Sequence, residues 1–354
     1  MSKFWSDAIR NLEPYVPGEQ PKQGGITKLN TNENPFPPSP AVNQVLHDFQ
    51  VDRLRLYPDP DCSRLKQSLA DHFALNVDQV FVGNGSDEVL AHTFMAFFRQ
   101  PLPLLMPQFT YSFYQVYCDL YGIDARLMPL GDGFSIDLDT YPTENGGVIF
   151  ANPNAPTSRA LTLAEIEPLL KRNTESVVVV DEAYVDFGAE SAVSLINQYP
   201  NLLVIQTFSK SRSLAGMRVG YALGHPELIA GLERVKNSFN SYPLDMLAIE
   251  TAVAALEDTA YFETTTQQII DTREWTIEQL NQLGFESLPS KTNFLFTQHR
   301  SEPAADLMQF LRSQNILVRY FSKPGIDNYL RITIGTQVEM QLLVEALKKH
   351  PALA

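Results

Sequence analysis

Four consecutive valines, residues 177–180, constrain the fold of this chain more than any other feature. Their apolar character does not alternate with polar residues, as expected for a strand that is covered on both faces. Residues 148–151 and 202–208 have the same character, and shorter apolar runs occur at 80–83 and 219–223. Helical patterns separate these runs, which indicates an α/β fold. We therefore predict a large domain with a mostly parallel mixed sheet between helices.

The two ends of the chain differ from this middle part. The first fifty residues are rich in proline, glycine and asparagine, which predicts an irregular arm rather than one regular element. A disordered tail is the alternative, but Tyr15, Val16, Ile26 and Leu29 favour partial docking. After residue 245, helical patterns precede short predicted strands at 293–297, 316–320 and 330–336, which is typical of a smaller α+β domain.

Three segments follow from this division of the chain. Residues 1–50 are predicted to form the N-terminal arm and part of the small domain. Residues 51–250 would form the large, ligand-binding domain, and residues 251–354 the C-terminal small domain. A total of 354 residues is enough to bury such cores without disulfides.

Composition excludes several classes of function. The formal net charge of -14 argues against a nucleic-acid partner, because phosphate neutralisation needs clustered Lys and Arg. Two cysteines outside any C-x-x-C motif predict neither a disulfide framework nor a metal site, and the six histidines show no metal-ligand spacing. No stretch approaches the roughly 20 apolar residues that span a bilayer. Since the N-terminus also lacks a signal-like apolar run, we expect no membrane partner and a cytoplasmic location.

Polar residues follow the predicted strands, where ligands gather in open α/β sheets. Gly85-Ser86-Asp87 opens a predicted helix, with Ser86 as the expected N-cap, and helix N-termini favour phosphate. Asp181 follows the valine run, and a buried carboxylate needs a cationic partner. Taken separately, each motif also fits a plain N-cap or an ordinary salt bridge.

The next strand ends in Ser209-Lys210, with Arg218 a few residues beyond. A lysine in a loop of small residues is a candidate for imine chemistry, although most lysines after strands are solvated. Together the strand ends supply a lysine for a Schiff base, a carboxylate for a ring nitrogen and an anion cradle. A pyridine aldehyde cofactor needs these groups. The combination therefore predicts such a cofactor.

An ordered set of motifs makes the chain resemble a known family. The set is specific and spans nearly the whole chain: Leu29-Asn30-Thr31-Asn32-Glu33-Asn34-Pro35, Tyr57-Pro58-Asp59-Pro60, Val82-Gly83-Asn84-Gly85-Ser86-Asp87-Glu88, Asp181-Glu182-Ala183-Tyr184, Ser209-Lys210-Ser211-Arg212 and Leu330-Arg331-Ile332-Thr333. It is similar to the fold-type I pyridoxal-phosphate enzymes, to the class II aminotransferases among them, and most of all to the histidinol-phosphate aminotransferases. The cofactor that this resemblance implies is pyridoxal 5'-phosphate.

The resemblance also implies roles for individual residues. Lys210 would form the Schiff base and move the substrate proton, and Asp181 would pair with the ring nitrogen. Tyr184 and Asn154 would hydrogen-bond the phenolate oxygen, and Tyr111 would stack on the ring. The phosphate would be bound by a further group of residues: Gly85, Ser86, Asp87, Ser209, Arg218 and Tyr57. Because Tyr57 would come from the neighbouring subunit, the implied assembly is a homodimer with the active site at the subunit interface.

The implied reaction is a ping-pong transfer from histidinol phosphate to 2-oxoglutarate, which yields imidazole-acetol phosphate and glutamate in histidine biosynthesis. One site must accept either a phosphate or a carboxylate, which suits a guanidinium. The resemblance points to Arg331, with Arg319 and Tyr15 assisting. A surface ion pair is the other interpretation of Arg319.

Three other functions fit parts of the sequence. An aromatic amino-acid aminotransferase and a phospho-amino-acid decarboxylase would share the fold. A ligand-sensing regulator would add a DNA-binding domain, which we do not expect here because the aminotransferase-like arm begins almost at once and the charge is acidic. The motif Asn154-Ala155-Pro156-Thr157-Ser158 departs from the Asn-Asn-Pro-Thr-Gly of many relatives. Ser158 in place of glycine indicates either that the turn needs no positive φ or that it tolerates strain.

Overall fold

The computed structural model describes residues 2–10, 12–22 and 24–353. The α-helices, α1 to α11 in chain order, are Asp7–Arg10, Pro40–Asp48, Ser63–Phe73, Gly85–Phe97, Phe113–Tyr121, Leu163–Arg172, Pro226–Phe239, Met246–Glu257, Thr259–Gln282, Ala304–Ser313 and Gln337–Leu347. The strands, β1 to β12, are Thr27–Leu29, Val80–Asn84, Leu104–Pro107, Ala125–Met128, Gly147–Ala151, Val178–Asp181, Leu202–Thr207, Val219–Gly224, Phe285–Ser287, Phe294–His299, Ile316–Tyr320 and Leu330–Thr333.

Seven strands form the larger sheet in the order β2-β8-β7-β6-β5-β3-β4. The strands from β7 to β4 pair in parallel, whereas β8 is antiparallel to both β2 and β7. The carboxyl ends of β2, β5, β6 and β7 therefore meet the amino end of β8 at one edge. This confirms the predicted mostly parallel mixed sheet and places the polar strand ends together.

The valine run is apolar throughout because both of its faces are buried. Val178 and Val180 pack into the core beneath α3, α6 and α8, and Val179 packs into a second core beneath α4, α5 and α7. Neighbouring strands alternate in the same way, with Val204 facing the first core and Ile205 the second. Helices thus cover the sheet on both faces, as an α/β layer requires.

Five strands form the smaller sheet in the order β1-β11-β12-β10-β9. Strand β1 of the N-terminal arm pairs in parallel with β11, and the other pairs are antiparallel. Its core includes Ile269 of α9, Leu307 of α10 and Leu343 of α11. The boundaries near residues 50 and 250 stay predictions. Helices α2 and α8 pack against each other and contribute Val42 and Ala252 to the first core of the large sheet.

Local contacts set the starts of two helices. Helix α6 begins after Thr162, which forms a capping box with Glu165. Helix α4, in contrast, begins at Gly85 with Asn84 as the N-cap, so the prediction of Ser86 was wrong. The Glu88 carboxylate accepts a hydrogen bond from the Asn84 backbone N–H at 2.6 Å, which starts the turn earlier. In the described part of the chain, no helix is both long and apolar enough to cross a membrane.

Candidate active site

A cavity of about 570 Å³ lies where the edge of the large sheet faces the smaller sheet. Its walls come from the strand ends, the N-terminal arm, β11 and β12. Most of the predicted site residues line it: Tyr15, Ser86, Asp87, Tyr111, Asp181, Tyr184, Ser209, Lys210, Arg218, Arg319 and Arg331. Tyr57, Gly85 and Asn154 do not.

One end of the cavity is an anion cradle at the start of α4. A Cβ atom on Gly220 would lie 2.2 Å from the Ser86 backbone nitrogen, so β8 approaches this turn more closely than any other residue type permits. Arg218 lies against Gly85, which has φ +77°, and donates to the Asp87 carboxylate at 3.2 Å. A helix N-terminus next to a guanidinium favours a phosphate.

Asp181 lies at the carboxyl end of β6 and is buried, with 4% of its surface exposed. Its carboxylate accepts hydrogen bonds from the Tyr114 hydroxyl at 2.6 Å and the Ala183 backbone N–H at 3.3 Å. Burial raises the pKa of Asp181 to about 6, and the hydrogen bonds from Tyr114 and Ala183 offset only part of this effect. A buried carboxylate without a cation is ready for a positively charged ligand atom.

Lys210 projects into the cavity from the loop after β7. Its Nζ lies 3.4 Å from the Thr31 carbonyl oxygen and 5.7 Å from the centre of the Tyr184 ring. The backbone of the loop is fixed by Asn34, whose amide donates to the carbonyl oxygens of Lys210 and Ser211. The amine is therefore held on a rigid backbone.

The opposite wall carries two arginines. Arg319 and Arg331 are direct partners in the antiparallel pairing of β11 with β12, so both side chains lie on one face. Like charges at such positions repel, and an anion between them would relieve this repulsion. Arg331 donates through Nη2 to the Asn30 carbonyl at 2.9 Å, and its buried Nε has no acceptor among the described residues. Burial lowers the pKa of Arg331, as expected for a guanidinium that pairs with no carboxylate among the described residues.

Aromatic rings close the cavity on the side of the arm. Tyr15 packs against Phe113 with ring centres 4.8 Å apart and meets Tyr111 edge-on at 6.3 Å. The Tyr111 hydroxyl donates to Asp87 at 3.0 Å, and the Tyr184 hydroxyl accepts from the Asn32 amide at 3.0 Å. The Tyr184 proton is thus free to be donated to a ligand oxygen. The partial docking predicted for the arm is present at Tyr15.

The structure places three predicted residues outside the cavity walls. The Asn154 amide nitrogen donates to the Phe109 carbonyl and the Thr157 hydroxyl, and its oxygen accepts from Thr110. Both of its N–H groups are therefore used within the protein. Gly85 lies behind Arg218 and shapes the cradle through its backbone. Tyr57 is 80% exposed and stacks on Tyr242 with ring centres 4.7 Å apart.

Sequence reasoning missed several residues that organise the site. Tyr114 lies in the first turn of α5, three residues after Tyr111, which precedes the helix, and the two rings meet edge-on with centres 5.6 Å apart. Asn32 and Asn34 belong to a motif that the sequence singled out without assigning them a contact. In the described part of the chain, no group of three or more His, Cys, Asp or Glu residues is arranged to hold a metal ion.

Comparison with known proteins identifies the class. Residues 25–347 match the model of the aminotransferase class I and II family. The histidinol-phosphate aminotransferase of Acinetobacter baylyi is 60% identical over 350 residues, which is 98% of this chain and 97% of that protein. That of Chromohalobacter salexigens is 57% identical and covers 98% of this chain and 99% of that protein.

A solved structure agrees with these relatives. The histidinol-phosphate aminotransferase of Sinorhizobium meliloti in complex with pyridoxal-5'-phosphate matches with a TM-score of 0.86 at 25% identity and covers 98% of this chain and 97% of that chain. The chain therefore belongs to the class I and II aminotransferases, and within them to the histidinol-phosphate aminotransferase family. The family and the fold-type I architecture predicted from the sequence are confirmed.

Proposed function

We propose that this protein transfers the amino group of histidinol phosphate to 2-oxoglutarate, a step of histidine biosynthesis, with pyridoxal 5'-phosphate as cofactor. The products are imidazole-acetol phosphate and glutamate. One observation carries the proposal: Lys210 and Asp181 line the same cavity, and Arg319 and Arg331 face them from the smaller sheet. The family of the chain supports both the cofactor and the reaction.

The residues present fit this cofactor. Asp181 is a buried carboxylate that meets no cation among the described residues, which suits a protonated ring nitrogen. The close approach of Gly220 to Ser86 leaves the start of α4 open for the phosphate, with Ser209 and Arg218 beside it. When bound, pyridoxal phosphate supplies an aldehyde that condenses with amines and a ring that takes up the electron pair of a broken bond.

The protein's own groups then position charges and protons. Asp181 would hold a proton on the ring nitrogen, and the Tyr184 hydroxyl would donate to the phenolate oxygen. The Lys210 amine removes the proton from Cα of the amino donor and later returns one to the amino acceptor. Tyr15 and Tyr111 line the same cavity as this amine, with their ring centres 6.3 Å apart.

Arg319 and Arg331 account for the use of two unlike substrates at one site. Histidinol phosphate presents a phosphate where 2-oxoglutarate presents a carboxylate, and a planar guanidinium forms paired hydrogen bonds with either. The unused Nε of Arg331 is the donor that such an anion would satisfy. Both substrates could therefore bind their anionic group at the same two arginines.

We infer that the working unit is a homodimer. Tyr57 does not line the cavity of its own chain, and it belongs to a segment whose apolar side chains are exposed: Val51, Leu54 and Leu56. Tyr242, on which Tyr57 stacks, and Phe239 are also exposed. A second copy of the chain would cover these residues and receive the Tyr57 hydroxyl at its own cofactor phosphate. Sedimentation of the purified protein would test the assembly.

The Lys210→Ala variant tests the reaction. It should lose amine transfer from histidinol phosphate to 2-oxoglutarate by at least about a thousandfold, because it removes both the amine that binds the aldehyde and the base. Exposed Lys291, outside the cavity, offers a matched Lys→Ala control that should keep full activity. Retained activity in Lys210→Ala would refute the proposal. Phenylalanine as the donor should react more slowly, since it lacks the phosphate.

A further inference from the structure

Tyr57 lies on a segment whose position depends on helix α7. Its ring stacks on Tyr242, which follows the end of α7. The next residue, Pro243, accepts a hydrogen bond at its carbonyl oxygen from the Asn84 amide at 2.9 Å. The surface that supports the Tyr57 ring is therefore tied to the turn before α4.

A buried lysine holds the backbone of the same segment. Lys236, in the last turn of α7, is 2% exposed, and its Nζ donates to the Pro60 carbonyl oxygen at 3.1 Å. The same Nζ pairs with the Glu233 carboxylate at 2.9 Å. Glu233 also pairs with Lys66 of α3. A buried ammonium group needs such partners, so Lys236 and the Pro60 carbonyl are fixed relative to each other.

The segment is stiff enough to transmit this constraint. Pro58 and Pro60 have restricted φ angles, and Asp59 accepts hydrogen bonds from the backbone N–H groups of Asp61 at 3.1 Å and Ser63 at 2.8 Å. Only two residues, Pro58 and Asp59, lie between Tyr57 and the anchored Pro60. Loss of the anchor would therefore change the direction in which the Tyr57 ring points.

We propose that Lys236 is a positioning residue that, through Pro60, aims Tyr57 at the cofactor phosphate of a second copy of the chain. The inference rests on the proposed homodimer. Lys236 is not among the described residues that line the cavity of its own chain. Substitution of Lys236 should therefore alter the active site of the partner subunit. A role confined to the folding of its own chain would not produce this effect.

Mixed dimers separate the two possibilities. In the first, one chain carries Lys210→Ala and Lys236→Met together, and its partner is unchanged. The remaining Lys210 then faces a Tyr57 from the altered chain. In the second, Lys210→Ala and Lys236→Met are on different chains, so the remaining Lys210 faces an unaltered Tyr57. The Kd of pyridoxal phosphate is measured through the visible absorbance of the cofactor joined to Lys210.

The first mixed dimer should bind the cofactor about three- to tenfold more weakly, because a misaimed hydroxyl loses part of a charge-assisted hydrogen bond. The second should bind like the unchanged enzyme. Equal weakening in both, weakening only in the second, or none in the first would overturn the inference. Lys236→Gln, too short to reach Pro60, is the second variant if Lys236→Met does not fold, and the same asymmetry is expected.

Two controls make the result specific. Lys66→Met removes the other cation from Glu233 but keeps the Pro60 contact, so it should leave the Kd unchanged in both arrangements, and an asymmetry there would overturn the inference. Tyr57→Phe should weaken binding in the first arrangement alone. No effect of Tyr57→Phe would refute the proposed dimer site itself. An effect of Tyr57→Phe without one of Lys236→Met would overturn only the role of Lys236.

Discussion

Replacing Asp181 with asparagine should stabilise the cofactor-free protein while abolishing its activity. In the absence of a ring nitrogen, the donors that the described residues offer this buried carboxylate are Tyr114 and Ala183, and burial raises its pKa from 3.8 to about 6. A charge that the folded state disfavours is a cost that the unfolded chain does not share. The neutral amide of asparagine removes that cost.

The sign and size follow from the shift in pKa. Because the folded pKa of Asp181 is raised, its contribution to stability is complete below the unfolded value and is lost as the pH rises through about 6. A shift of about two pKa units corresponds to about 3 kcal/mol, of which roughly 1.4 kcal/mol is lost between pH 5 and pH 8. Losing the hydrogen bond from Ala183 should cost Asp181→Asn about 1 kcal/mol. A net gain of about 2 kcal/mol at pH 8 remains.

Urea unfolding of the cofactor-free proteins at pH 5 and pH 8 measures both quantities. The unchanged protein should lose about 1.4 kcal/mol more between these pH values than Asp181→Asn does. Glu182, whose pKa burial raises to about 7, contributes equally to both proteins and cancels in the comparison. An identical pH dependence of the two proteins, or a variant less stable at pH 8, would show that the buried charge of Asp181 does not destabilise the folded protein.

Two further substitutions test the ends of the cavity. Gly220→Ala should raise the Kd of pyridoxal phosphate at least about tenfold in an absorbance titration, because the added Cβ would lie 2.2 Å from the Ser86 nitrogen. Gly216→Ala is the control and should have no effect, because Gly216 has open space around it. Arg331→Leu should raise KM for both histidinol phosphate and 2-oxoglutarate about a hundredfold, and Arg331→Lys less, in steady-state assays. A change of KM for one substrate alone would contradict the shared anion site.

Local patterns predicted the strands that carry the site because those strands are fully buried. The runs at β5, β6 and β7 are apolar on both faces, so their ends could be located to within a residue or two. Strands β3 and β4 were not predicted. Leu104–Pro107 follows a proline-rich stretch, and Ala125–Met128 is a partly exposed edge strand of four residues. Neither strand is long enough to show an alternation of apolar and polar residues.

Contacts between distant parts of the chain lay beyond such patterns. The direction of β8 depends on its pairing with β2 and β7 rather than on its own residues. Ser158 shows the same limit, since the sequence left open whether its turn needs a positive φ. The structure gives φ 63°, and the Ser158 hydroxyl donates to the Thr157 and Pro289 carbonyl oxygens, which favours the strained conformation.

The segment from Asn30 to Asn34 positions residues of the active site, although few of its own side chains would contact the substrate. Asn32 joins the Tyr184 hydroxyl to Thr333 of the smaller sheet, and Asn34 fixes the backbone of Lys210. The Asn30 carbonyl accepts from Arg331. The side chains of Lys210, Tyr184 and Arg331 are thus all positioned by one stretch of the chain, residues 30–34. An irregular conformation suits this task, because its N–H and C=O groups are not used up in a helix or a sheet.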